Sequence, residues 1–155
     1  MEAFFNDIRN GDLQGVTKAI EVNSSLINIR DQRGSTPLIL ASYYDREAVV
    51  KFLLDKGAKV DEMDGSGNTA LMGVCFKGYT EIAKLLVDRG ANVNATNSMG
   101  ASCLIFAVTF NKIGIVRLLL SNGANTAFKD ARGNTALDHA KMQGAPELIS
   151  LLENS

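Results

Sequence analysis

The chain has 155 residues, of which 46% are hydrophobic and 21% are charged, and its net charge is -1. These values are typical of one folded domain and exclude disorder, while the balanced charge argues against binding to nucleic acid. The segment MEAFFNDIRNGD lacks the apolar core of a signal peptide, and the longest apolar run, about 101–110, is too short to cross a membrane. We therefore expect a cytoplasmic protein.

A repeat of 33 residues organises most of the sequence. It is marked by four columns of similar residues, and a second glycine column is followed each time by alanine. Such a period indicates a stack of similar structural units. The columns are Gly34, Gly67, Gly100 and Gly133; Thr36, Thr69, Ser102 and Thr135; Leu38, Leu71, Leu104 and Leu137; Ala41, Val74, Ala107 and Ala140; and Gly57, Gly90 and Gly123.

Each unit is predicted to contain two short helices. In DQRGSTPLILAS, Thr36 is placed to cap a helix and Pro37 suits its first position, so a helix is expected from about residue 37 to about Asp45. The apolar stretch from Val49 to Leu54 predicts a second helix, which ends near Gly57.

The segments GSTPLILA and DREAVVKFLLDKGAKVD resemble the ankyrin repeat, whose signature is T-P-L-H-x-A. The resemblance implies one all-α domain over residues 1–155, a solenoid of helix-turn-helix units joined by β-turn or hairpin loops. Units are expected at 31–63, 64–96 and 97–129, with a truncated C-terminal unit at 130–155. Residues 1–30 form a divergent N-terminal unit in this interpretation.

The sequence departs from the signature at its histidine. Ile39, Met72, Ile105 and Asp138 stand at that position. The hydrogen bonds that this imidazole makes between loops in the family must therefore be replaced or absent.

The resemblance also implies a function. Ankyrin repeats bind proteins through a concave side formed by loop tips and first helices, so we expect a monomeric, non-catalytic protein-binding module. Inhibition or regulation of an enzyme or toxin is one role that such a module can have. The partner itself is unidentified. An enzyme or small-ligand binder that uses the groove is the alternative.

Two adjacent tyrosines suggest where a partner binds. With Leu38 at 0° on the first helix, Tyr43 lies at about 140° and Tyr44 at about 240°, away from the core face. The same columns hold Phe76 and Phe110 in the next units. We call these four residues the aromatic band. They are either exposed in a groove or packed between repeats.

The full set of predicted partner-binding residues adds loop tips and neighbouring positions to this band. The basic members favour a partner with an acidic patch. The set consists of Tyr43, Tyr44, Phe76, Lys77, Phe110, Arg33, Asn68, Met99, Arg132 and Met142.

Little in the sequence favours catalysis, a metal or a cofactor. Cys75 and Cys103 are expected to be buried thiols, and the single histidine, His139, has no nucleophile near it in the sequence. Asp61, Glu62 and Asp64 cluster near a turn without the spacing of a calcium loop, which indicates a solvated acidic turn. We expect no cofactor and no metal.

Overall fold

The computed structural model describes all 155 residues and contains ten α-helices and one short 3-10 helix. The helices follow one another as five antiparallel pairs, which confirms the predicted all-α solenoid. Their bounds are α1 Glu2–Asn10, α2 Leu13–Val22, the 3-10 helix Ser24–Asn28, α3 Pro37–Tyr43, α4 Glu47–Asp55, α5 Ala70–Lys77, α6 Thr80–Asp88, α7 Cys103–Thr109, α8 Ile113–Ser121, α9 Ala136–Gln143 and α10 Pro146–Glu153.

The first helix of each repeat unit begins at a side-chain cap. The Thr36 hydroxyl accepts a hydrogen bond from the Ile39 N–H at 3.2 Å, and Thr69, Ser102 and Thr135 make the same bond in their units. The predicted cap is therefore confirmed. Helix α3 ends at Tyr43, earlier than expected, because Asp45 takes a left-handed conformation with φ of 59°.

The loops before these helices share one set of hydrogen bonds. In the loop that starts at Asp64, the carboxylate oxygen Oδ1 accepts from the N–H groups of Ser66 and Asn68 at 2.9 and 3.0 Å. The Gly67 N–H donates to the Asp64 carbonyl, which closes a β-turn. Asp31, Asn97 and Asp130 hold their loops in the same way.

Neighbouring loops are joined by backbone hydrogen bonds. The N–H groups of Gly65, Ser98 and Ala131 donate to the carbonyls of Arg33, Ser66 and Met99, at 2.9, 3.1 and 3.0 Å. Neighbouring loops are thus connected through the backbone although no unit has the signature histidine. A single β-bridge, between Thr96 and Ser102, is the only strand-like pairing, so the connections are β-turns rather than extended hairpins.

One loop glycine shows how tightly the loops approach. Gly67 has a φ of +79°, and a Cβ at this position would lie 3.0 Å from the Ser98 nitrogen of the next loop. Any other residue would be strained both in its own backbone and against its neighbour. The spacing between loops therefore depends on glycine here.

The hydrophobic core is continuous from the first helix pair to the last. It contains 35 buried residues, and the framework residues Leu38, Leu71 and Leu104 are each 1% exposed. First helices of neighbouring units contact each other more extensively than second helices do. The stack is therefore tighter on the side of the loops and first helices, which makes that side concave.

Two further predictions are answered by the fold. Cys75 and Cys103 are both fully buried and form no disulfide, as expected. None of the ten helices has the length and apolar character needed to cross a membrane.

Replacing Leu71 by alanine should destabilise the protein by about 2 to 5 kcal/mol, because the cavity would lie in a core that continues into both neighbouring units. Urea unfolding followed by circular dichroism measures this change. Lys84→Ala, at an exposed position of α6, is the control and should change the unfolding free energy by less than about 0.5 kcal/mol. Equal effects of the two variants would contradict the packing described above.

Candidate functional site

A groove runs along the concave side between the loops and the first helices. It consists of three adjoining cavities with volumes of about 570, 330 and 190 Å³. Arg9, Asp31 and Arg33 line both the first and the second cavity. Ile39, Tyr43 and Asp64 line both the second and the third, so the cavities form one continuous groove that ends at Phe106.

Three residues of the aromatic band, Tyr43, Tyr44 and Phe76, line this groove, and all four rings are partly in solvent. Tyr43, Tyr44, Phe76 and Phe110 are 40, 42, 38 and 42% exposed. The rings also pack in pairs, with centroids 5.6 Å apart for the tyrosines and 4.5 Å apart for Phe76 and Phe110. Both alternatives hold in part, since the rings are partly exposed and each also packs against an aromatic neighbour. That they bind a partner stays a prediction.

The contacts across this surface follow a diagonal. Three contacts join residues that are 34 positions apart in neighbouring units. The Lys77 ammonium lies 5.0 Å from the centre of the Tyr43 ring, Phe76 contacts Phe110, and the Gln143 amide donates to the Thr109 carbonyl at 2.9 Å. The band therefore consists of two aromatic pairs, and the Lys77 ammonium lies over the Tyr43 ring of the first pair.

Two predicted residues are less available than expected. Lys77 is half-buried because its ammonium lies between the rings of Tyr43 and Tyr79, 5.0 and 5.9 Å from their centres. Asn68, predicted at a loop tip, lies at the base of its loop instead. There its side-chain oxygen accepts a hydrogen bond from the Asn97 amide at 2.9 Å.

The ten predicted residues divide between the groove and its surroundings. Arg33, Tyr43, Asn68 and Phe76 line the cavities, and Tyr44 lines the second one. The remaining members, Lys77, Phe110, Met99, Arg132 and Met142, line none of the three. Met99 and Met142 are each 64% exposed, and both lie toward the C-terminal end of the stack.

Sequence reasoning missed most of the lining of the third cavity, including Phe106, Gly73 and Asp64. Phe106 and Gly73 share a column with Leu40 and His139, and Asp64 opens the loop of its unit. A glycine inside a column of larger side chains was the signal that could have revealed the cavity. The sequence interpretation followed the two tyrosine columns and did not examine this one.

His139 has a structural partner. Its Nε2–H donates to Asp130 Oδ2 at 2.7 Å, and both side chains are mostly buried. The pKa of Asp130 is lowered, chiefly by the hydrogen bond from the Asn134 N–H and next by the bond from His139. This pair fixes the last loop to α9 and leaves the imidazole without a nucleophile to activate.

Two other groups have a shifted pKa. The pKa of Asp138 is lowered because the backbone N–H and hydroxyl of Thr135 hydrogen bond to the carboxylate, within a capping box. Burial, together with the neighbouring Cys103, raises the pKa of the Cys75 thiol well above its ordinary value, which makes it unreactive. No group of three or more His, Cys, Asp or Glu side chains is arranged to hold a metal ion.

Two family models match the chain, one described as ankyrin repeats (3 copies) over residues 4–97 and one described as ankyrin repeats (many copies) over residues 86–140. The chain belongs to the ankyrin repeat family. Ankyrin repeats are generally protein-protein interaction modules, and the groove of this ankyrin repeat protein lies on the side of the loops and first helices that the resemblance implied.

A curated relative shares part of the sequence. The BTB/POZ domain-containing protein 3 of Schizosaccharomyces pombe is 48% identical over 50 residues. This match covers 32% of the chain and 10% of the yeast protein. It is a similarity of one stretch to a much longer protein.

The Asp130 carboxylate should make stability depend on pH in the acid range. Because its pKa is lower in the folded than in the unfolded state, the unfolded chain binds the proton more readily. The free energy of unfolding should start to fall when the pH drops below about 4, and it should keep falling until the pH reaches the pKa of Asp130 in the folded state.

Asp130→Asn isolates this contribution, because Asn97 shows that an asparagine makes the same two loop bonds. The free energy of unfolding of this variant should fall less steeply as the pH is lowered. Urea titrations between pH 2.5 and pH 6 measure it, since this window extends about two units to either side of the ordinary carboxyl pKa. A residual slope from Asp138 is expected in both proteins. Identical pH profiles would contradict the role given to the Asp130 carboxylate.

Proposed function

We propose that this ankyrin repeat protein is a non-catalytic module that binds one protein partner along its concave groove and thereby inhibits or regulates it, the partner being an enzyme or a toxin. The observation that carries the proposal is the exposure of the four side chains of the aromatic band, three of which line the groove. Aromatic side chains are enriched among the residues that dominate binding energy in protein interfaces.

The physical argument concerns apolar surface that folding leaves in water. Each ring of the aromatic band contacts a neighbouring ring, so the rings are held in place before a partner arrives. Rigid side chains lose little conformational entropy on binding. A partner that covers the band gains the hydrophobic free energy of the exposed ring surface at small entropic cost.

Charges around the groove suggest the character of the partner's surface. Arg33 and Arg132 are exposed at loop tips, and Lys77 is half-buried beside Tyr43. In this proposal, acidic side chains on the partner face these three residues. Such charges act mainly on the rate of association and on its specificity.

The chemistry of the other polar groups supports a non-catalytic role. His139 is paired with Asp130, and the two thiols are buried. Two free cysteines without a disulfide also support the proposed cytoplasmic location, where thiols stay reduced. A monomer is proposed because the groove is complete within one chain.

Tyr44→Ala tests the proposal. The variant should lose at most about 1.5 kcal/mol of stability, since the ring is 42% exposed and its main aromatic contact is Tyr43. Binding of the partner should weaken by about 2 kcal/mol or more, roughly 30-fold. The partner is first captured from an extract of the cells that express the protein, and the purified partner is then titrated against each variant by calorimetry.

Lys84→Ala, on an exposed face of α6 outside the groove, is the matched control and should bind the partner like the parent protein. If Tyr44→Ala keeps its affinity for the partner and loses much of its stability, the tyrosine serves only in packing, and the proposal is contradicted. A loss of affinity in Lys84→Ala would place the interface on the other side.

A further inference from the structure

The last repeat unit contains a loop carboxylate whose two oxygens both accept hydrogen bonds. Asp130 Oδ1 accepts hydrogen bonds from the N–H groups of Arg132 and Asn134, each at 3.0 Å. Its other oxygen, Oδ2, accepts from His139 Nε2 at 2.7 Å. The histidine comes from the first helix of the same unit, so this helix position lies within reach of the loop carboxylate.

The unit that starts at Asp64 has the same carboxylate but lacks the helix side chain. Asp64 Oδ1 accepts from Ser66 and Asn68, whereas Oδ2 has no hydrogen-bond or ion-pair partner in the chain. The position of His139, taken back by two repeats of 33 residues, is Gly73. The imidazole that would reach Asp64 is therefore replaced by empty space.

This space is the third cavity of the groove, with a volume of about 190 Å³. Its walls include the rings of Tyr43, Phe76 and Phe106, and Asp64 carries the only charge in its lining. A Cβ on Gly73 would meet only the Tyr43 ring, at 3.6 Å, which is ordinary contact, and Gly73 does not have a positive φ. Neither packing nor backbone conformation requires glycine here, although glycine lowers the stability of a helix.

We propose that this cavity receives an arginine side chain of the partner protein, whose guanidinium pairs with Asp64 Oδ2 while its methylene stem lies against the aromatic walls. The inference rests on the proposed function and specifies the partner's chemistry at one point. A planar guanidinium forms two parallel hydrogen bonds with a carboxylate and also stacks on aromatic rings, so this lining suits arginine better than lysine.

The basic residues of the groove do not oppose this assignment. Arg33 and Lys77 are absent from the lining of the third cavity, and the Lys77 ammonium is held over the Tyr43 ring. Arg9 and Arg33 line the second cavity together with Asp31 and Asp64, whereas the third cavity has Asp64 as its one charged residue. The third cavity therefore differs in charge from the rest of the groove, and the partner is expected to place acidic side chains opposite Arg33 and one arginine opposite Asp64.

The small cation n-butylguanidinium reproduces the end of an arginine side chain and serves as the probe. It is titrated into the isotope-labelled protein, and amide NMR shifts are followed at Gly73 and Asn68. We expect saturable shifts at both residues with a dissociation constant on the order of 1 to 10 mM. The neutral analogue n-butylurea, which has the same shape, should bind about tenfold more weakly or not at all.

Two variants and a matched control locate the binding. Asp64→Asn keeps the loop bonds and should weaken probe binding by about tenfold, because the guanidinium loses its ionic partner. Asp31→Asn changes the equivalent carboxylate, which lines the first and second cavities but not the third, and should leave the affinity unchanged. Gly73→Leu introduces the side chain that Leu40 provides in the preceding unit and should abolish the shifts.

Thermal melts show whether Gly73→Leu is folded. If it is not folded, the affinity of Asp64→Asn for the probe decides whether the proposal holds. The proposal is overturned by equal binding of n-butylurea, by unchanged affinity in Asp64→Asn, or by the absence of shifts at Gly73 up to about 50 mM probe. Tighter binding of n-butylammonium would overturn the choice of arginine. Because the probe needs no partner, failure here is separate from failure of the proposed function.

Discussion

Packing between neighbouring repeat units is the interaction on which the whole molecule depends. Each unit is a pair of helices of only seven to ten residues, and such a pair cannot enclose an apolar core of its own. The buried leucines at 38, 71 and 104 therefore form one core that passes from unit to unit. Because neither face of an inner unit is complete without its neighbour, the order of units and the spacing between them are fixed together.

The same constraint produces the groove. Loop-to-loop hydrogen bonds, such as that from the Gly65 N–H to the Arg33 carbonyl, hold successive loops at a constant separation. The core faces of the first helices point into the stack, so the flanking positions of these helices are left at the surface. Tyr43 and Tyr44 occupy these flanks, and their exposure follows from where Leu38 must lie. Variation at such flanks changes the surface without changing the stack.

Much of this architecture could be predicted from the sequence because the same residue types recur at the same positions of each repeat. The cap at Thr36 and the burial of Leu71 follow from residue type and period alone. Features that depend on pairs of units could not be predicted this way. The contact between Phe76 and Phe110 joins positions 34 residues apart, one beyond the period, so a comparison within columns does not reveal it.

The loops and the third cavity illustrate the same limit. Asn68 was expected at a tip but lies at the base of its loop, because the Asp64 carboxylate and the Asn97 amide both bond to it. The cavity at Gly73 exists because this position has no side chain. Its walls come from three different units. A comparison within the column points to the missing side chain, but the walls of the cavity depend on where its neighbours lie, which the sequence alone does not give.

The central claim is that a protein partner occupies the concave groove of this stack. Site-specific photo-crosslinking tests it most directly, with a benzophenone amino acid placed at position 43 in the groove or at position 84 on the exposed face of α6. In an extract of the cells that express the protein, we expect illumination to give one discrete protein adduct from position 43 and none from position 84. An adduct from position 84 alone, or none from either position, would contradict the account.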